Sequence, residues 1–350
     1  MNVKWEQRKL KTVVLVNSGK DYKSLEKGNI PVYGTGGYIT SVSKFLSNQD
    51  AIGLGRKGTI NKPYILKAPF WTVDTLFYLT LKPENILTFI YSLIQKINWL
   101  KYDESTGLPS LSKKNIENIL VYLTKLDEQQ KIGKLIVKLD KFITLQQRKL
   151  EQLKQLKKAI LQIIASNRLL LHTKKVDMIK VRVADIYKIT RGNVLSRSEI
   201  SNVRTSKYPY PVYSSQTKNH GLMGYYKDFL FKNAITWTTD GANAGTVKYR
   251  KGRFYSTNVN GVLLSSEGLA NQLTAELLNL VAFKYVSHVG NPKLMNNTMG
   301  EIIFNIPRSV ETQQYFSVCI ESVIDLIGKQ EKATDKLNKL KKYLLQKLFI

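Results

Sequence analysis

Along most of the chain, apolar residues come in short bursts. From Val13 to Tyr78, and again from Val181 to Leu264, runs such as VVLV, AIGLG, FWTV, LFYL, AITW and GVLL are separated by Gly, Asn and Pro. Short apolar and β-branched runs between turn formers predict strands joined by turns. From Asp127 to about Ala165 the period changes. No proline interrupts this stretch, and Ile132, Leu135, Leu139, Phe142, Leu150, Leu153, Leu156, Ile160 and Ile164 recur at helical spacing. The pattern predicts one helix of about 40 residues, on the order of 60 Å long at 1.5 Å per residue. Such a helix, with one apolar stripe and Lys or Gln elsewhere, needs a partner to cover the stripe.

The whole pattern is then written a second time. IPVYGTGG from Ile30 returns as YPVYSSQT from Tyr210, Ala51 and Ile52 are answered by Ala234 and Ile235, and LPSLSKKNIENI from Leu108 by NPKLMNNTMGEII from Asn291. Leu153, Leu156, Lys157, Lys158, Leu161 and Gln162 reappear in the same register as Leu337, Leu340, Lys341, Lys342, Leu345 and Gln346. One unit is duplicated; this is not a solenoid. The second copy supplies the missing stripe through Phe316, Ile320, Val323, Ile327, Leu337, Leu340, Leu344 and Leu348. An antiparallel helix pair with pseudo-twofold symmetry would bury both stripes and keep two globular modules apart. A coiled coil between two chains is the competing arrangement, and equal copies within one chain favour the internal pairing. The expected fold is α+β: modules over residues 1–123 and 173–306, and long helices over 124–172 and 307–350.

Charge narrows the partner. Lys and Arg number 54 against 26 Asp and Glu, a net charge of +28 with a pI near 9.9. Solubility alone would be met by a net charge of about ten. An excess this large in a folded chain points to a polyanion; nucleic acid leads, with an anionic membrane or a ribosome-like assembly as alternatives. The single cysteine, Cys319, in YFSVCIESVIDLI, suits a reducing cytosol. The N-terminal MNVKWEQRKLK is not followed by a signal-like apolar segment, and no apolar run reaches membrane-spanning length. A soluble, cytoplasmic protein is expected.

Candidate catalytic motifs lack their context. Gly53, Gly55 and Gly58 of GLGRKG fit GxGxxG, and Asp74 stands near the expected distance. The next residues are TINKPYIL, with Pro63 and β-branched side chains, where a dinucleotide site needs a helix. Two readings stay open: a turn that brings Arg56, Lys57 and backbone amides to phosphates, or a plain hairpin. His172, His220 and His288 have no Cys or acidic neighbour at metal-ligand spacing. There is no GxxxxGK[ST] phosphate loop. No metal, cofactor or catalytic residue is expected.

Two divergent modules, each followed by a similar long helix, resemble the specificity subunit of type I restriction-modification enzymes over essentially the whole chain. The strongest stretch is LPSLSKKNIENILVYLTKLDEQQKIGKLIVKLDKFITLQQRKLEQLKQLKKAILQ with its weaker second copy. In that family an apolar-Pro step and a Glu-Gln pair lead into each helix. Here Glu128 and Gln129 follow Leu123 and Thr124, whereas Ile306 and Pro307 precede Glu311 and Thr312. The acidic residues suit the positive end of a helix dipole. A methyltransferase of such a system would carry Asn or Asp before Pro-Pro and an aromatic, and NPKL at Asn291 and NIPR at Asn305 fail that pattern. The resemblance implies a chain without chemistry of its own, which reads a bipartite, asymmetric site in double-stranded DNA. It would position two methyltransferase subunits and, through them, the translocase-nuclease subunits. A coiled-coil scaffold that binds nucleic acid without base preference is the alternative, and a self-sufficient nucleic-acid enzyme is a third.

Loops in matching positions but with different residues are where each half would read different bases. These are Tyr33, Thr35 and Tyr38 against Tyr213, Ser214, Ser215 and Gln216, and Arg56, Lys57, Thr59 and Lys62 against Thr238, Thr239, Asn243, Lys248 and Arg250. Gln can pair with adenine, Arg with guanine, and Ser or Thr with several bases.

Overall fold

A computed structural model describes residues 5–166, 170–171, 174–215 and 218–349. The chain forms two compact units, one of Met1–Arg148 with Glu331–Ile350, the other of Lys149–Gln330. Among the described residues no helix is long and apolar enough to cross a membrane.

In the first unit the buried AIGLG run forms the Ala51–Gly55 strand, which has no solvated face. It lies within an antiparallel sheet of order Val14–Ser18, Leu76–Leu81, Ala51–Gly55, Tyr64–Leu66. A smaller sheet joins Gly37–Val42, Lys27–Gly34 and Trp71–Thr72, the last pair parallel. A ribbon of Glu6–Lys9 with Leu120–Leu123 brings the start of this module beside its end.

The second unit repeats this plan strand for strand. Its sheet runs Lys188–Arg191, Asn260–Leu264, Phe231–Thr238, Val247–Ser256, Tyr210–Tyr213, Leu222–Tyr226, and its ribbon pairs Met178–Arg182 with Ile303–Pro307. Register is kept as well as order. Ile52 faces Leu79 and Gly53 faces Tyr78; their counterparts Ile235 and Thr236 face Leu263 and Val262. The parallel pair Val32 with Trp71 returns as Val212 with Tyr255. One difference has a local cause. Val247–Ser256 is continuous and serves both pairings, whereas Pro69 interrupts the corresponding chain between Tyr64–Leu66 and Trp71–Thr72, because proline has no N–H for the ladder.

The predicted helices span Leu126–Ala165 and Val310–Leu348, 40 and 39 residues. In the first unit Ile132 and Ile136 share a core with Phe89, Ile52, Leu344, Leu345, Leu348 and Phe349. Farther along the first helix and farther back on the second, Asp140 and Lys341 pair at 2.6 Å, so these segments run antiparallel. In the second unit Leu161 and Ile164 share a core with Phe316 and Ile320. The stripe differs from the sequence expectation in its face. Leu135, Phe142 and Leu156 are exposed, while Ile136 and Ile143 are buried in place of the first two. Apolar residues adjacent in sequence offer two faces, and the one that meets the sheet module is the one buried.

Each helix start is held by a buried glutamine. Gln129 donates from Nε2 to the Thr124 carbonyl at 2.8 Å and accepts from the Ile86 N–H at 3.2 Å. Gln313 donates to the Pro307 carbonyl at 2.7 Å and accepts from Asn271 Nδ2 at 3.1 Å. The counterpart of Gln129 is therefore Gln313, one position beyond the Glu311–Thr312 alignment that the sequence suggests. Gly133 and Ser317 are likewise matched. A Cβ on Gly133 would collide with Thr88 Oγ1, and Ser317 Oγ accepts from the Leu273 N–H at 3.0 Å. Removing a buried hydrogen-bonding group strands its partners, at about 1–3 kcal/mol each. Gln129→Ala and Gln313→Ala should each lower stability by about 2–4 kcal/mol in denaturant titration, and Gln→Glu should not restore it. A loss below about 0.5 kcal/mol, the usual effect of an unremarkable surface change, would remove the glutamines from this role.

Candidate nucleic-acid interface

In the second unit the alternation of a strand sorts the candidate residues. Ile235 and Trp237 point into the core, so Thr236 and Thr238 face the other way. Across the ladder Thr236 faces Lys248 and Ala234 faces Arg250, which puts both cations on the same side as the threonines. Ser214, Ser215, Thr238, Asn243, Lys248 and Arg250 line one cavity of about 80 Å³. Thr236, Thr246, His220, Gly221 and Asn260 complete its wall.

Arg250 is only 7% exposed. Its Cζ lies 3.8 Å from the centre of the Tyr213 ring, Nε donates to Thr236 Oγ1 at 3.1 Å, and Nη1 donates to the His220 carbonyl at 3.0 Å. Burial pulls its pKa down to about 10, so it keeps its charge at neutral pH. Burial, and then the charge of Arg250, pull Lys248 down to about 8, against the opposing pull of Glu276. Glu276 is itself held by Lys157 at 2.6 Å.

Thr239 does not join this wall. It is fully buried, and its hydroxyl lies 2.7 Å from Asp240 Oδ2 and 3.0 Å from the Val259 carbonyl. Tyr213 supports Arg250 from behind and packs on Phe254 at 5.8 Å. Gln216 and His172 lie outside the described residues. Sequence reasoning misses Thr236, which the AITWTTD alternation could reveal, and Asn260, which reaches the site only through strand pairing. Among the described residues no group of three or more His, Cys, Asp or Glu could hold a metal ion.

The corresponding place in the first unit is chemically different. The ladder matches Lys248 with Tyr64 and Arg250 with Leu66. The Tyr64 hydroxyl donates to the Gly34 carbonyl at 2.6 Å, its ring lies 6.2 Å from Tyr33, and burial pushes its pKa up. Tyr38 sits 6.4 Å from Tyr33 at an exposed hairpin, with Thr35 in the turn. Arg56 and Lys57 form a separate site with Ser18, Phe77, Ser110 and Lys113 around a cavity of about 270 Å³. Thr59 and Lys62 belong to the adjoining turn and do not line it.

The glycine motif is a strand-turn-strand hairpin with no helix. Its amides are engaged: Arg56 and Lys57 donate to the Thr75 carbonyl at 2.8 and 3.3 Å, and Gly58 to the Pro109 carbonyl at 2.8 Å. Those three amides are therefore not free to bind a ligand. A Cβ on Gly55 would overlap the Thr59 carbonyl oxygen. Gly55→Val should therefore cost about 1–3 kcal/mol or more through overpacking, read in thermal unfolding, while an NAD titration of the parent chain stays silent. A Gly55→Val protein as stable as its parent would contradict this packing.

The comparisons with known proteins agree with this duplicated plan. The family described as the type I restriction modification DNA specificity domain matches residues 2–155 and 175–341. The chain belongs to that family. It is 43% identical over 124 residues, 35% of its length, to a Mycoplasma pneumoniae protein described as the N-terminus of a type I specificity subunit. It is 34% identical over 159 residues, 45% of its length, to the MpnII type I restriction enzyme specificity subunit of the same organism. These matches cover 65% and 44% of the relatives, so the chain spans less than two thirds of either. Its fold is similar to that of the S subunit of a type I restriction-modification system from M. genitalium, with TM-score 0.79 and 16% identity over 100% of this chain and 97% of that one.

Proposed function

We propose that the chain is a DNA-reading specificity subunit, in which residues 1–123 and 173–306 each read one half of a bipartite, asymmetric duplex site. Residues 124–172 and 307–350 are the spacer helices. The observation that carries this reading is the pair of modules that keep one strand register yet differ at the matched site, Tyr64 and Leu66 against Lys248 and Arg250. One scaffold with two chemistries is what an asymmetric target requires. Direct base contacts are assigned to Tyr33, Thr35, Tyr38, Thr59, Ser214, Ser215, Gln216 and Asn243, and phosphate contacts to Arg56, Lys57 and Lys62.

The chain itself carries no catalysis and works in the cytoplasm. It positions two methyltransferase subunits, and translocase-nuclease subunits through them. Support comes from the family and from a similar structure, TM-score 0.50, described in connection with complex assembly of the type I system.

The test has two readouts. Log affinity for duplex DNA should fall with log salt by about 0.9 for each phosphate neutralised, and a near-flat slope rejects the DNA reading. Adenine methylation should require both this chain and its methyltransferase partner; methylation by the chain alone rejects the non-catalytic role.

A further inference from the structure

Two cations face one small cavity in the second module; among the described residues neither is in a salt bridge, and the carboxylate whose charge reaches Lys248, that of Glu276, is already held by Lys157 at 2.6 Å. Bringing a guanidinium and an ammonium together out of water is costly without an anion between them. The rest of the wall carries groups that can bond an oxyanion: the hydroxyls of Thr238 and Ser214, and the amides of Asn243 and Asn260. The space, about 80 Å³, is well below the ~150 Å³ that admits a benzene ring. A space of that size suits a tetrahedral oxyanion. Arg250 is stacked, hydrogen-bonded and nine-tenths buried, so its guanidinium cannot extend to a base edge in the major groove.

We propose that the second module seats one backbone phosphate of the duplex between Lys248 and Arg250, and that these two residues fix register rather than read bases. This inference rests on the DNA-reading function. It also separates the modules: Tyr64 and Leu66, the matched residues of the first, offer no charge to an anion. The anchor therefore belongs to one half-site.

The chemistry is that of a phosphate group, and the source is a phosphodiester of the target rather than free phosphate. Full-length chain would be titrated with inorganic phosphate by calorimetry, and with target and unrelated duplexes across a salt series, as wild type, Lys248→Gln and Lys248→Arg. Circular dichroism melts of each variant establish that it is folded.

Phosphate should bind one site, compete with duplex, and be lost in Lys248→Gln. That variant should weaken target and unrelated duplexes by the same factor and make the salt slope shallower by about 0.9, with Lys248→Arg restoring both. An unchanged slope in a folded Lys248→Gln protein overturns the anchor. So does a changed base preference, which would make Lys248 a base reader. Phosphate binding without competition would assign the cavity to free phosphate and overturn the duplex source. A wild-type chain that binds no duplex at all would defeat the DNA reading itself, a result distinct from any of these.

Discussion

Exchanging residues 5–124 for the matching stretch of another member of the family should replace one half of the methylated target completely and leave the other half unaltered. The expectation rests on separate cores. Ile52, Leu79, Phe89 and Trp99 build one, and Trp237, Leu263, Leu273 and Leu278 build another. The junction matters. Leu120–Leu123 pairs with Glu6–Lys9, and Ile116, Ile119, Val121 and Leu123 are all buried in the first core. A cut in the exposed loop near Leu108 would divide that ribbon and core between two parent sequences. A cut after Thr124 leaves them with one. Methylome sequencing of cells carrying the hybrid and the partner methyltransferase gives the answer. Changes in both half-sites would mean that the modules do not read independently.

Trp237→Ala should cost about 3–5 kcal/mol, the usual range for deleting a buried tryptophan. The side chain is fully buried, Nε1 donates to the Leu294 carbonyl at 2.9 Å, and a Cβ on Gly261 would overlap its ring. The neighbours pack too closely on the indole to refill its volume without moving backbone. Trp237 belongs to the second core alone, so calorimetry should show the transition of the second unit lowered and that of the first in place. A single transition that moves as a whole would show that the two cores unfold together.

The repeat and the long helices are legible in the sequence because both depend on spacing along the chain. The helical period over Leu126–Ala165 and the shared register of Leu153 and Leu337 survive any divergence in loops. Sheet order is not legible, since the pairing of Ile235 with Leu263 joins residues from separate runs. The inward face of the first helix escapes for a related reason. Leu135 and Ile136 are both apolar, as are Phe142 and Ile143, and tertiary contact selects between them. Lys248 and Arg250 stand out in sequence as cations near a matched strand, but the burial of Arg250 beside Tyr213 does not. Thr238 and Thr239 look alike in sequence, although Thr238 ends its strand at the cavity and Thr239, just beyond the strand, is buried against the Val259 carbonyl. Gln313 escapes when the Glu-Gln pair is aligned on Glu311, although it keeps the same offset from Gln129 as Leu337 does from Leu153.

The first unit includes Glu331–Ile350, and its core is finished by Leu344, Leu348 and Phe349, whose carbonyl accepts from Lys96 Nζ at 2.7 Å. During synthesis, these residues emerge after the entire second unit, Lys149–Gln330. At about 5–20 residues per second, that interval lasts roughly 10 to 40 s. Throughout it, the nascent first module carries Ile132 and Ile136 without their final cover. A ribosome that stalls before codon 331 would release a chain whose second half can be complete while its first, older half remains open to chaperones and proteases.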